Sequence, residues 1–179
     1  MDAQERPSNR REQELRVLQL HELRRVVRAL TEEPDHVRTF FLTCLLTGYR
    51  RSEVQQMQWD ELDLVNAAWF CPASTGKRPF PQTFPLPQAL VPYLNRLPHV
   101  SPCVFAQAER TNWVNTYAWL TSWKRIQRHA ELRPCPTHIL RYSFLHYFAQ
   151  QGSNPARLEP RQLRAALDEY AQTILNQAA

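Results

Sequence analysis

The sequence predicts an α+β domain, mainly helical, with a small antiparallel sheet near its first third. Three observations point there. Apolar residues recur at three- and four-residue steps through most of the chain. Two short segments, Ala67–Pro72 and Gln82–Leu86, read as the strands of a hairpin with Ser74, Thr75 and Gly76 near its turn. The glycines Gly48, Gly76 and Gly152 each fall where an element ends or turns.

Residues 1–14 are polar and are expected to form a mobile arm. Residues 15–179 are expected to form one domain. From Leu15 to Leu30 the pattern is helical, with Leu20, Leu23, Val26, Val27 and Leu30 on one face and arginines on the other. Pro34-Asp35 breaks it and opens a core helix through Val37, Phe40, Phe41, Cys44 and Leu45, closed by Gly48. A short helix then carries Arg50 to Met57, and Asp60 to Asn66 is a turn-rich connection. Prolines 79, 81, 85 and 87 make the second strand brief or an edge. Pro87 to Leu97 is a helix with proline near its start. Residues 98–110 are a loop holding one apolar run, Cys103-Val104-Phe105. Thr111-Asn112 can cap a long helix to about Leu132, carrying Trp113, Trp119 and Trp123, which Pro134 and Pro136 end. Thr137 can cap the next helix, His138 to Gln151, stopped by Gly152. After a polar link the last helix, Arg161 to Asn176, places Leu163, Leu167, Tyr170 and Ile174 near one face.

The 179 residues suffice for one core, and 43% are apolar, which excludes a disordered chain. No apolar run approaches the ~18–20 residues of a membrane span, so no membrane partner is expected. The N-terminus shows no secretory leader, which makes the cytoplasm the expected compartment. Cys44, Cys71, Cys103 and Cys135 form no C-x-x-C pair, and the histidines share no ligand spacing, so no metal is expected. The net charge is +5 with 22 cations, of which only Lys77 and Lys124 are lysines. An arginine excess suits phosphate, whose oxygens match the guanidinium fork. A GC-rich gene would encode the same excess with no function attached.

Three constellations can carry chemistry. In Leu46–Val54 (LTGYRRSEV) a helix ends at Gly48 and Arg50 and Arg51 open the next, where free N–H groups favour an anion. Glu53 can hold Arg50 by an ion pair three residues on. A solvated charge cluster at a helix junction would look the same. In Thr137–Phe148 (THILRYSFLHYF), His138 and Arg141 share a helix face, as two phosphate ligands would. A capping histidine beside a surface arginine is the plainer alternative. Lys77, near the hairpin turn, can reach a neighbouring site as a proton donor or simply be solvated.

In their order these motifs resemble the tyrosine recombinases, the phage integrase family. Thr47, Gly48, Arg50 and Glu53 match its T-G-x-R-x-x-E box, and Trp59, Asp60, Asp63 and Leu64 match the phrase that follows. Lys77 precedes Phe84-Pro85-Leu86 as in satellite-phage integrases, although Gln82 stands where those usually have histidine. His138, Ile139, Leu140 and Arg141 match H-x-L-R, and Gly152 matches the glycine beyond it. The likeness covers roughly residues 15–152 and implies a tyrosine-recombinase catalytic-domain fold.

The resemblance implies metal-free, cofactor-free phosphoryl transfer on double-stranded DNA, in site-specific recombination or integration. Arg50 and Arg141 would clamp the phosphate, Lys77 would protonate the leaving oxygen, and His138 would assist the proton transfer. Arg51, Arg78 and Lys124 would contact DNA, and other recombinase protomers would be partners. A tyrosine would attack the phosphorus. After Gly152, however, the family's third box and its tyrosine do not follow. Residues 153–179 instead resemble the helix beyond them in satellite-type integrases. Tyr170 is the remaining candidate nucleophile, and its place on an apolar helix face equally suits a packing residue. A truncated or inactive enzyme, or a non-enzymatic DNA-binding or protein-interaction remnant, are both open on this reading. Integrases usually carry a helical domain ahead of this one. With only the arm there, DNA affinity is expected to be low and strongly salt-dependent.

Overall fold

A computed structural model describes residues 16–71, 82–105 and 116–176. The proposed arm, the hairpin turn with Lys77 and Arg78, and the Thr111-Asn112 cap with Trp113 lie outside the described residues. The architecture is mainly helical with a small antiparallel sheet, as the periodicities predict, but the sheet has three strands rather than the two of the expected hairpin.

Helix α1 is Leu20–Leu30 and starts later than the apolar pattern suggests. The reason is local: the Gln19 N–H donates to Glu22 Oε2 at 3.0 Å, which fixes the first turn there. The residues before it run as an extended strap. Leu18 N–H donates to Ser143 Oγ at 2.7 Å, and Arg16 donates to the Arg133 carbonyl at 3.0 Å. Helix α2, Asp35–Thr47, is buried along nearly its whole length. It ends at Gly48 in the left-handed conformation, φ +66°.

Helix α3 is only Arg51–Gln55, with Arg50 at its N-cap. It is shorter than the segment the sequence suggested, so its dipole contributes little to an anion site. The connection after it is more ordered than expected. A 3-10 turn at Trp59–Glu61 leads into strand β1, Leu62–Asp63, which pairs with β2, Ala68–Cys71. Strand β3, Gln82–Pro85, pairs on the other side of β2. Pro87 starts a 3-10 turn, Gln88–Leu90, and then the short helix α4, Val91–Asn95, rather than one continuous helix. Val104 and Phe105 are buried, and Cys103 bridges to Gln58.

Helix α5, Thr116–His129, stacks Trp119 on Phe40 at 3.7 Å between ring centres. It is also tied to the end of α1 by Arg125, which holds the buried Glu33 carboxylate at both oxygens. Helix α6 is His138–Gln150 and packs along α2. Thr137 stands at its N-cap, yet its side chain makes no capping hydrogen bond and is buried instead. Helix α7, Pro160–Leu175, lays Leu163, Leu167, Tyr170 and Ile174 into the core. Its polar ties run to the sheet side: Asp168 Oδ1 accepts from Gln88 N–H at 2.7 Å, and Arg164 donates to the Asn66 carbonyl at 2.9 Å.

The two described glycines set a graded test. A Cβ at Gly48 would lie 2.2 Å from Phe144 Cδ1, whereas one at Gly152, also at positive φ, meets nothing within 4 Å. Gly152→Ala should therefore cost only the backbone strain, ~1 kcal/mol. Gly48→Ala adds overpacking and should cost at least about 2 kcal/mol more, read from urea midpoints. A second test concerns Glu33, whose side chain is 1% exposed. Arg125→Ala strands that carboxylate and should destabilise by ~2–4 kcal/mol, with Glu33→Gln in the same background restoring part of the loss.

Candidate functional site

The first box is shaped by the end of α2. Thr47 Oγ1 donates to the Thr43 carbonyl at 2.6 Å, so its methyl and hydroxyl stay inside the helix. Gly48 then turns the chain so that its carbonyl faces α6. Arg141 reaches across and donates from Nη1 to that carbonyl at 2.6 Å. This contact brings the second arginine box to within two residues of Arg50. Arg50 is about half exposed, and Glu53 fastens it twice. Glu53 Oε2 accepts from the Arg50 N–H at 2.7 Å and Oε1 pairs with its guanidinium at 3.3 Å.

His138 is exposed one helical turn before Arg141. It lines a groove of about 960 Å³ between α5, the Pro134–Thr137 segment and α3. Arg51 and Lys124 line the same groove, so three of the sequence candidates meet there. Arg51 donates to Gln55 Oε1 at 3.3 Å. Its charge acts on Cys44 inside α2, whose thiol burial pushes far up and Arg51 partly restrains. Arg128, one turn beyond Lys124, also lines the groove and was not singled out from the sequence. Its signal was there: a second cation four residues after Lys124 shares the helix face.

A small cavity of about 220 Å³ adjoins Arg141, walled by Gly48, Tyr49, Phe84, Leu145 and Pro155. Tyr49 is buried, and its phenol oxygen accepts from Cys71 Sγ at 3.1 Å.

The candidate nucleophile Tyr170 is a core residue in this structure. It is fully buried, edge-on to Phe144 at 5.3 Å and tilted against Tyr147 at 4.8 Å. Burial pushes its hydroxyl far above the ordinary phenol range, with Tyr147 adding to the shift. Its oxygen has no hydrogen-bond partner. No phosphate reaches this oxygen while α7 is seated. Lys77 and Arg78 fall outside the described residues. Among the described residues no group of three or more His, Cys, Asp or Glu side chains is arranged to hold a metal ion. No described helix is long and apolar enough to cross a membrane.

Comparison with known proteins gives one family and several folds. The description "Phage integrase family" matches residues 16–161. No curated protein matches the chain. Among solved structures, the XerA recombinase superposes with a TM-score of 0.67 at 15% identity, over 89% of this chain and 59% of that one. A lambda integrase dimer bound to a COC′ core site gives 0.61 at 15% identity, over 92% of this chain and 58% of that one. The lambda integrase catalytic core gives 0.60 at 16% identity, over 89% and 93%. The chain thus spans rather more than half of the two longer relatives and nearly all of the isolated catalytic core. Its match over residues 16–161, together with the arginine boxes joined at Gly48, makes this chain a member of the phage integrase family.

Proposed function

We propose that this chain is an integrase-family catalytic domain that grips a phosphate of double-stranded DNA, in the setting of site-specific recombination. The observation that carries the reading is the Arg141–Gly48 hydrogen bond. It holds the second arginine against the loop that presents the first, which supports a site where both guanidiniums would serve one anion. Arg50, oriented by Glu53, would take one non-bridging oxygen and Arg141 another. Their fixed charge would then favour the pentacoordinate phosphorus over the ground state. His138 would donate a hydrogen bond or proton from the groove side, and Lys77 would serve the leaving oxygen. The lambda relative is a dimer on DNA, and other recombinase protomers are the partners proposed here.

The burial of Tyr170 favours a second reading within this one. As a packing residue it leaves a DNA-binding remnant that does not cut. The two readings part on a suicide DNA substrate run on a denaturing gel. A covalent protein–DNA band supports the enzyme. DNA binding without a band supports the remnant. Under either, Arg50→Ala and Arg141→Ala should each weaken duplex binding by about 1.5–3 kcal/mol, roughly ten- to a hundredfold, in fluorescence anisotropy at low salt. Wild-type affinity in both variants would sink the phosphate-clamp reading.

Tyr170→Phe gives a stability readout of its own. It removes a buried hydroxyl that has no partner. The thermal midpoint should stay level or rise, and DNA affinity should not change. A marked drop in midpoint would mean that the hydroxyl is satisfied in solution.

A further inference from the structure

Helix α6 carries both residues of the second box, yet no side chain caps its start. Thr137 stands at the N-cap, buried and without a capping bond. Short backbone bonds close the first turn instead. Ile139 N–H donates to the Pro136 carbonyl at 3.1 Å, and Leu140 N–H to the Thr137 carbonyl at 3.2 Å. A start closed in this way takes its place from what lies outside the helix.

Two segments distant in sequence supply that hold. Helix α5 is the first. Cys135 N–H donates to Gln127 Oε1 at 2.7 Å, and Trp123 Nε1–H to the Cys135 carbonyl at 2.8 Å. The strap before α1 is the second. Arg16 reaches the Arg133 carbonyl with one nitrogen and Glu22 Oε1 with the other, both at 3.0 Å. Leu18 is 3% exposed, and its N–H donates to Ser143 Oγ at 2.7 Å. The same hydroxyl donates to the Ile139 carbonyl, also at 2.7 Å.

A serine that bonds only to its own helix, four residues back, gains that helix little. Here its oxygen also accepts from the strap, so Ser143 is a joint. The chain of bonds ends inside the box, because Ile139 lies between His138 and Arg141. Adjacent residues project about 100° apart around a helix. Phe144 seats against Gly48, and Ser143 against the strap. One lateral anchor leaves a helix free to roll about its axis, whereas two at that angle do not. A roll of α6 would carry Arg141 off the Gly48 carbonyl and swing His138 with it. The ring contact is apolar and tolerates sliding, but the bond from Leu18 is directional.

Resting on the phosphate-clamp reading above, we propose that Ser143 is a positioning residue for the second arginine box, with the strap of residues 16–19 as the part it registers against. Ser143 touches no phosphate. It acts through Arg141, by fixing the roll of α6.

The test uses the full chain and two readouts. Amide hydrogen exchange without DNA reads the helix start. Ser143→Ala and Arg16→Ala should each speed exchange at Ile139, Leu140 and Arg141 at least about tenfold and leave α2 unchanged. Duplex affinity at low salt reads the clamp. Ser143→Ala alters no charge and should weaken binding about tenfold, while adding it to Arg141→Ala should weaken binding no further. Gly152→Ala, strained beyond the far end of α6, is the control for lost stability and should bind as the wild type does. Exchange speeded equally in α2 and α6 would overturn the positioning role. So would wild-type affinity in folded Ser143→Ala while Arg141→Ala still weakens binding, and the clamp would then stand without it. If Ser143→Ala does not fold, Arg16→Lys, which keeps the charge and loses the fork, decides on the same two readouts. A wild-type chain that binds no duplex even at low salt would sink both readings together.

Discussion

The structure depends on one carbonyl. Gly48 ends α2 in a left-handed turn, and its carbonyl accepts a hydrogen bond from Arg141. The same turn leaves no room for a side chain, because Phe144 of α6 occupies the space a Cβ would take. Contact and hydrogen bond reinforce each other. Phe144 and Arg141 lie three residues apart on α6, so seating the ring places the guanidinium. The ring in turn rests on Phe148 and Tyr170, two aromatic contacts that link it to the core. A tyrosine that serves as this support cannot move without loosening the ring that seats Arg141.

Arginine does two kinds of work here, and the composition alone could not separate them. Much of the excess acts on backbone carbonyls. Arg38 donates to those of Leu30, Thr31 and Glu33, closing the turn between α1 and α2. Arg24 reaches Thr173 near the end of α7, and Arg164 reaches Asn66 before β2. The planar fork, which binds phosphate oxygens in pairs, binds neighbouring carbonyl oxygens equally well. These arginines satisfy helix ends and loops that a lysine could not bridge. Lys124 and Arg128 are of the second kind, beside apolar surface and without carboxylate partners among the described residues.

Much of the fold was legible because it follows from periodicity. The order of helices, the sheet and the glycine stops all come from local spacing. What was missed depended on partners far away in sequence. Strand β1 is two residues long and exists because β2 offers it an edge. Thr137 had the chemistry of a cap, but the packing around it leaves its side chain buried with no capping bond. For the site, His138 and Arg141 were legible as a pair because one helix carries them. Their relation to Arg50 was legible only through the family likeness, since nothing local says that Arg141 reaches Gly48. Arg128 was overlooked because an i, i+4 cation pair on a helix is usually just a solvated face.

Arg50 and Arg141 are held differently from Lys124 and Arg128. The clamp is rigid: Arg50 is fixed by Glu53, and Arg141 by a carbonyl and a buried ring. Rigid donors stabilise a charge whose position is known in advance, which is what phosphoryl transfer requires. Lys124 and Arg128 are on exposed side chains with no ion-pair partner among the described residues. A chain that kept only the second kind would still bind DNA. The Arg50 backbone N–H donates to Glu53 Oε2 at 2.7 Å, and its guanidinium, about half exposed, pairs with Oε1 at 3.3 Å. The Gly48 turn and the Glu53 cap together set the backbone from which Arg50 projects and against which Arg141 is held.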